Sequence, residues 1–201
     1  RFDDESTAVI FASFSRRRFC NEEDCQELAM DVPRTVLDLQ KCLHASNCSR
    51  FDSNNPSGQG TAYGYYWKTL QNKKQAHALE PVPCFKSQRF EPYLVVKKSA
   101  SLPQFDERFV GYGKNKIQWV NHLRYLGFRF YVMPVSFVVH AAHPKSKAKA
   151  VWEKSRTKNG TQRASSVKAM DQLFKTFMAE LDSTLGENRI TTHICNARTI
   201  N

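Results

Sequence analysis

Eight residues in the second half of the chain are of types that move protons, hold cations or grip anions. They are Glu91, Asp106, Gly111, Gly113, Lys114, Lys116, His140 and His143. A carboxylate that takes a proton in a reaction must sit within reach of the reacting oxygen, and Glu91 and Asp106 are the two acids best placed for such work. Glu91, between Phe90 and Pro92, reads equally as a ligand-binding carboxylate, a base or an ordinary turn residue. Gly111-Tyr112-Gly113-Lys114-Asn115-Lys116 is a glycine-flanked turn running into a helix. The unpaired amides and positive dipole end of a helix favour an anion there, and glycines let the backbone come close to it. A tight strand-to-helix turn needs no ligand at all, so this motif alone decides nothing. His140 ends an apolar run and His143 follows in a small-residue turn. Ligands gather at the C-terminal ends of strands in α/β proteins, although a lone histidine on a buried strand also serves as a packed core residue.

The same stretches argue against other chemistries. An RNA-recognition strand has the form K/R-G-F/Y-G/A-F-V-x-F/Y, and here Lys114-Asn115-Lys116 replaces its later aromatic and apolar positions. The two histidines lack the His-Glu-x-x-His spacing and its general base, which argues against a metalloprotease. Six cysteines (Cys20, Cys25, Cys42, Cys48, Cys84, Cys195) form no Cys-x-x-Cys, so structural zinc is not expected. Net charge is +11, with nine Lys/Arg against three Asp/Glu from Lys86 to Arg129 and eleven against five from Lys145 onwards. Such localised charge fits an anionic partner or a solvated basic face. Two sequons, Asn47-Cys48-Ser49 and Asn159-Gly160-Thr161, lean with the even cysteine count towards the secretory pathway. No run approaches the roughly eighteen apolar residues of a membrane span. The chain opens on Arg1-Phe2-Asp3-Asp4-Glu5 without an initiator Met or signal peptide and is read as cut from a longer precursor.

The elements that must position these residues are mixed. Thr7–Phe14 is apolar and β-rich, a buried strand. Arg16–Gln26 reads as a loop pinned by a local cysteine bridge. A helix follows, with Asp31 as N-cap, Pro33 in its first turn and Val36, Leu39 and Leu43 on one face. Asn47–Gly64 is rich in Asn, Ser and Gly and reads as a loop, with a short helix beginning near Trp67. Tyr93–Lys97 is a strand starting just after Pro92. Ile117, Val120, Leu123 and Leu126 predict a helix from about Lys114 to Leu126, closed by Gly127. Phe128–His140 reads as two strands separated by Met133-Pro134, and His143–Ala150 as a basic loop. Ser165–Leu185 is an amphipathic helix with Gly186 at its end. The expectation is an α/β fold in a single domain.

Three segments in this order, "RFEPYLVVKK", "QFDERFVGYGKNK" and "VVHAAHP", resemble the glucuronyltransferase-type domain of the LARGE family and its β-1,4-glucuronyltransferase relatives, glycosyltransferase family 49. The matching positions are Phe90 to Tyr93, then Phe105 (Tyr in the family), Asp106, Arg108, Phe109, Gly111, Gly113, Asn115 and Lys116, then His140 and His143. The close match covers roughly Phe90 to Pro144, with weaker agreement on either side. The resemblance implies a GT-A fold and a metal-dependent, inverting transfer from a nucleotide-sugar donor to a glycan. It implies a divalent cation, Mn²⁺ first, with His140 as its protein ligand and His143 the weaker candidate. The family's Asp-x-Asp lies upstream of the strand resembling "AVIFASF", and no apolar strand ending in Asp-x-Asp occurs here. The chain is therefore read as one partial domain, the acceptor side of a longer enzyme. Residues 86–144 would be its acceptor and metal-side core, and 145–201 a basic loop and helix. Related inverting enzymes often place an acid after the Gly-x-Gly turn, where Lys114 and Asn115 stand here. The base is thus Glu91 first and Asp106 second, and Asp106 reads equally as an anchor of the turn. Lys114 and Lys116 would meet a donor carboxylate. A UDP-sugar, a glycan acceptor, no nucleic acid, a Golgi location and a membrane anchor outside this chain complete the expectation. The alternative is a non-catalytic glycan-binding or scaffolding remnant.

Overall fold

The computed structural model describes residues 4–16, 25, 30–53, 55–71, 78–110, 113–144, 146–147, 150 and 165–196. Its centre is a parallel pair of strands, β1 (Thr7–Ser15) and β6 (Arg129–His140), which pair from Thr7 opposite Arg129 to Ser15 opposite His140 with one shift of register between. The far edge of β1 is shared by two antiparallel strands, β2 (Ser49–Arg50) near its C-terminus and β5 (Tyr93–Val96) near its start. β3 (Glu80–Pro81) pairs with β6 on the other side. A separate parallel pair joins β4 (Cys84–Phe85) to β7 (His193–Ile194).

Alternation along the central strands builds the main core. Ala8, Ile10, Ala12 and Phe14 of β1, with Phe130 and Val132 of β6, are buried on one face. Tyr63 and Tyr66 of α2 (Pro56–Gln71) and Val120 and Leu123 of α3 (Asn115–Tyr125) cover that face. Side chains such as Ile10 and Phe14, sealed from water, each contribute about 1.5–3 kcal/mol. A second cluster joins Phe109, Ile117 and Tyr125 to Phe174, Phe177 and Leu181 of α4 (Ser165–Thr184). Helix α3 thus belongs to both clusters: it carries the residues after the glycine turn and fixes them against the sheet and α4 together.

Three sequence expectations change. The helix read from Asp31 onwards is α1 (Val36–His44), and its N-cap is Thr35. There Thr35 accepts from the Asp38 amide and Asp38 accepts in return from the Thr35 amide, a reciprocal capping box. The supposed Asn-Ser-Gly loop becomes helix from Pro56 onwards, so α2 starts well before Trp67. Buried Gly58 shows why: a Cβ there would lie 2.9 Å from Asn55 Nδ2 and 3.3 Å from Glu91 Oε1. Close packing, rather than propensity, holds this turn of helix. The two expected strands around Met133-Pro134 are one strand with a large bulge. Two steps on β1, Ile10 to Ala12, face five on β6, Val132 to Phe137. Pro134 has no amide to give to a central ladder, and the bulge, with Val135 at φ +50°, takes up that loss. The half of β6 that leads to His140 is re-aimed as a result.

The expected strand at Tyr93 and the helices at Lys114 and Ser165 appear within a few residues of their expected bounds. Gly127 (φ +84°) and Gly186 (φ +66°) take the positive φ that favours glycine after helices. Disulfides join Cys42 to Cys48 and Cys84 to Cys195. Cys25 is also disulfide-bonded, while Cys20, its expected partner, lies outside the described residues, as does most of Arg16–Gln26. No helix of the described residues is long and apolar enough to cross a membrane.

Candidate active site

Glu91 is placed by α2 and β5 together. Its backbone amide donates to Gly58 O at 2.9 Å, and its carboxylate lies beside the first turn of α2, where the helix dipole favours negative charge. Glu91 Oε2 is 3.7 Å from Lys116 Nζ, and that ammonium sits over the Tyr93 ring, 4.9 Å from its centroid. Burial first, and then the Glu91 charge, push the Tyr93 phenol above its ordinary pKa. From Tyr93 a row of rings leads to the end of the sheet. Phe51 is 5.9 Å from Tyr93 and 4.7 Å from His140, and His143 is 4.9 Å from His140.

The row is held from below by Tyr63. Its hydroxyl reaches the carbonyls of Ser13 at 2.6 Å and Phe51 at 2.9 Å, and the Phe51 amide donates to Ser13 O. Burial pushes the Tyr63 phenol up to about 12, so it stays protonated and able to donate. The loop carrying Phe51 is therefore fastened to the C-terminal end of β1, beside His140.

Next to the Glu91–Lys116 pair a cleft of about 180 Å³ opens between β5, α3 and the segment before the glycine turn. Tyr93, Leu94, Phe105, Lys116, Trp119 and Val120 are among its walls. Phe105 stacks on Trp119 with ring centroids 4.9 Å apart and planes 9° from parallel. The Trp119 indole N–H donates to Pro103 O at 2.8 Å, which fixes the plane of the plate.

The remaining expected residues lie elsewhere. Asp106 is engaged by Arg108 through its side chain, and Arg108 continues to Glu180 on α4 with contacts of 2.9 and 2.6 Å. The Arg108 hydrogen bond holds Asp106 below the usual carboxylate range, and Glu180 is lowered by the same guanidinium. Lys114 turns to α4 as well: its ammonium is 3.1 Å from Asp171 and 4.7 Å from the Phe174 centroid. Asp106 and Lys114 thus clamp the turn onto α4, while Glu91 and Lys116 face each other at the cleft. Gly113 (φ +96°) and Lys114 (φ +69°) make the left-handed entry into α3, and Asn115 is exposed, its side chain accepting from the Lys116 amide. Gly111 lies outside the described residues.

Among the described residues no group of three or more His, Cys, Asp and Glu side chains is arranged to hold a metal ion. His140 and His143 offer two imidazoles, and the His143 Nδ1 is already hydrogen-bonded to Pro144 O at 2.7 Å. This donor set does not make a cation site by itself. Sequence reading missed the Phe51–Tyr63 support and the Phe105–Trp119 plate. The fourteen-residue spacing of that plate carries no local signal, but Gly58 in "PSGQG" marks a place where another group comes close.

Comparison with known proteins bears on what such an arrangement serves. The family described as "glycosyl-transferase for dystroglycan" matches residues 24–184. The glycosyltransferase-like protein LARGE of Caenorhabditis elegans is 40% identical over 65 residues, covering 32% of this chain and 10% of the relative. The glycosyltransferase-like protein gnt13 of Dictyostelium discoideum is 40% identical over 81 residues, 40% of this chain and 12% of the relative. Human xylosyl- and glucuronyltransferase LARGE1 is 39% identical over 57 residues, 28% of this chain and 7% of the relative. The matched stretches are about a tenth of each relative's length. With a family match running through most of the described fold, this chain belongs to the LARGE-type glycosyltransferase family.

Proposed function

We propose that the protein transfers a sugar, with glucuronic acid the first candidate, from a nucleotide-sugar donor to a hydroxyl of a glycan, with inversion at the anomeric carbon. The observation that carries this reading is the Glu91–Lys116 pair at the lip of an aromatic cleft in a chain of this family. The acceptor oxygen forms a bond to the anomeric carbon as the carbon–oxygen bond to the diphosphate breaks. The electron pair leaves with the nucleoside diphosphate, and the acceptor proton passes to Glu91. Of the two acids, Glu91 pairs with Lys116, which lines the cleft, while Asp106 is committed to Arg108, which supports Glu91 as the base. Lys116 orients that carboxylate and is the cation placed to meet a uronic-acid carboxylate. Gly113 and Asn115 shape the turn beside it, and Gly111 is assigned to the same turn from the sequence.

The parallel β1–β6 pair, with His140 at its C-terminal end, supports a GT-A-type arrangement in which the donor lies at the strand ends. UDP is the first nucleotide to test. A divalent cation, Mn²⁺ first, would supply positive charge to the leaving diphosphate, with His140 one of its ligands. Two described disulfides support a lumenal, Golgi-type compartment, with any membrane anchor outside this chain.

Incubating the protein with a panel of nucleotide sugars, glycan acceptors and Mn²⁺, and following diphosphate release, tests the proposal. Acceptor-dependent release is expected from one donor. Glycan binding without release from any donor would instead establish the non-catalytic reading. His140→Ala should abolish Mn²⁺-dependent release while the far-ultraviolet spectrum stays unchanged, and full activity in that variant would remove His140 from the site.

A further inference from the structure

The cleft beside Glu91 has a wall that general acid–base chemistry does not require. Phe105 is 51% exposed, unusual for a side chain of its size. One face of its ring is stacked on Trp119, so the area it shows to solvent is its other face and its edge. Trp119 in turn packs against the main core and is hydrogen-bonded to Pro103, so the plate is rigid. Tyr93 adds a second ring, with Lys116 over it and Glu91 behind. A flat apolar plate with charged hydrogen-bonding groups at its rim matches one chemical shape well. A pyranose presents C–H bonds on the face of its ring and hydroxyl groups around its edge.

Size narrows the occupant further. The cleft of about 180 Å³ falls below the ~300–1,000 Å³ of sites that enclose a drug-sized ligand. A single sugar ring matches that volume. With the donor assigned to the strand ends near His140 in the transferase reading, the cleft is left to the acceptor.

We infer that Phe105, backed by Trp119, is the plate on which the terminal pyranose of the acceptor glycan lies, with Tyr93 and Lys116 at the edge of the ring. This rests on the transferase reading for the word acceptor, whereas the binding of a pyranose stands on the cleft alone. It places a specificity-determining residue outside the acid–base pair. A ring with equatorial substituents keeps an unbroken C–H face and stacks, whereas an axial hydroxyl on that face would push the ring off the plate. Selection of the acceptor would then depend on the shape of its last ring as well as on the hydroxyl that reacts.

Ligand-observed saturation-transfer NMR on the intact protein tests this with methyl β-D-glucopyranoside, methyl β-D-xylopyranoside and methyl β-D-mannopyranoside as probes. Expected is the strongest transfer to the axial C–H protons of one ring face, with the mannoside weaker than the glucoside and xyloside where the H2/H4 face lies on the plate and equal to them where the H1/H3/H5 face does. Phe105→Ala should weaken binding roughly tenfold, as expected for loss of an aromatic contact. Phe105→Trp should restore it to within about threefold, because it returns a plate at the same place. The half-exposed position keeps both variants folded, which circular dichroism verifies. Unchanged binding in Phe105→Ala, or absence of binding to all three probes, overturns the inference. Diphosphate release from nucleotide sugars separates the two ideas. Turnover with Phe105-independent glycoside binding removes the plate and leaves the transferase. Phe105-dependent binding without turnover from any donor removes the transferase and leaves the plate.

Discussion

The lip of the cleft and the clamp on α4 are built from the same kinds of residue, drawn partly from the same short segment, yet they are held in different ways. At the lip, Glu91 and Lys116 are a partly shielded pair set among rings and beside the N-terminus of α2. At the clamp, Asp106, Arg108 and Glu180 form a chain of contacts at the surface, with Arg108 and Glu180 nearly half exposed, and Lys114 and Asp171 add a second tie. Exposed ion pairs contribute little to stability individually, so the clamp positions α4 rather than dominating the folding energy. What differs is the presence of an open space next to the charges. Lys116, the partner of Glu91, itself lines that space.

That difference is open to attack from several sides. The largest effect is expected from Glu91→Gln, which keeps the shape and removes the proton acceptor. Donor turnover should fall by about 10²–10⁴ with the melting temperature little changed. Asp106→Asn is the paired control: it should keep turnover within tenfold and instead cost about 1 kcal/mol of stability, read by urea unfolding. If Asp106→Asn were the more damaging to turnover, the roles assigned to the two acids would be reversed.

Next in size is the covalent fastening on the lip side. Cys84–Cys195 closes a loop of 111 residues and ties the strand before Glu91 to the C-terminal segment, whereas Cys42–Cys48 spans six. On loop entropy, replacing the long-range pair with serines should cost about 5 kcal/mol, against about 2 kcal/mol for the short-range pair. Equal losses in denaturant unfolding would mean that strain or residual structure outweighs loop length.

The smallest effects belong to the clamp. Both Asp106 and Glu180 have lowered pKa values because Arg108 stabilises their charged forms. For such groups the stabilising contribution is full above the usual carboxylate range and is lost as pH falls through the lowered values. Protection of the α4 amides, corrected for the slower intrinsic exchange in acid, should therefore fall below about pH 4, the usual carboxylate range, before that of β1 does. Raising salt at neutral pH should act in the same direction, since these charges are exposed to screening. Simultaneous loosening of α4 and β1 would show that the clamp has no separate role.

Several of these assignments follow from patterns within single segments. The apolar runs of β1 and the helical spacing through Ile117, Val120 and Leu123 are local, and the structure places both in the main core. The stripe of α4 is equally local and makes the second core. The separation of the two lysines, expected to meet one carboxylate, was not legible. Lys114 stands in the left-handed entry before α3 and Lys116 in its first turn, and the two diverge, one to Asp171 and the other to Glu91. The start of α2 was not legible, because Pro, Ser, Gly and Gln have turn propensity and the packing that overrides it comes from Asn55 and Glu91. Nor was the cap of α1, where Asp31 and Thr35 are both good N-cap types and only the return bond from Asp38 selects Thr35.

By itself, then, the sequence determined the family, the strands β1 and β5 with the helices α1, α3 and α4, and the residue types available for catalysis, since all three reside in short runs of neighbours. Tertiary structure alone decided which carboxylate lies beside a cleft, which lysine it meets, and that Phe51, Phe105 and Trp119 belong to the same neighbourhood as His140 and Glu91. The physical reason is that a side chain's role depends on its partners. Those partners arrive from positions tens of residues away, through the pairing of β1 with β5 and β6 and the packing of α2 and α3 on one sheet face.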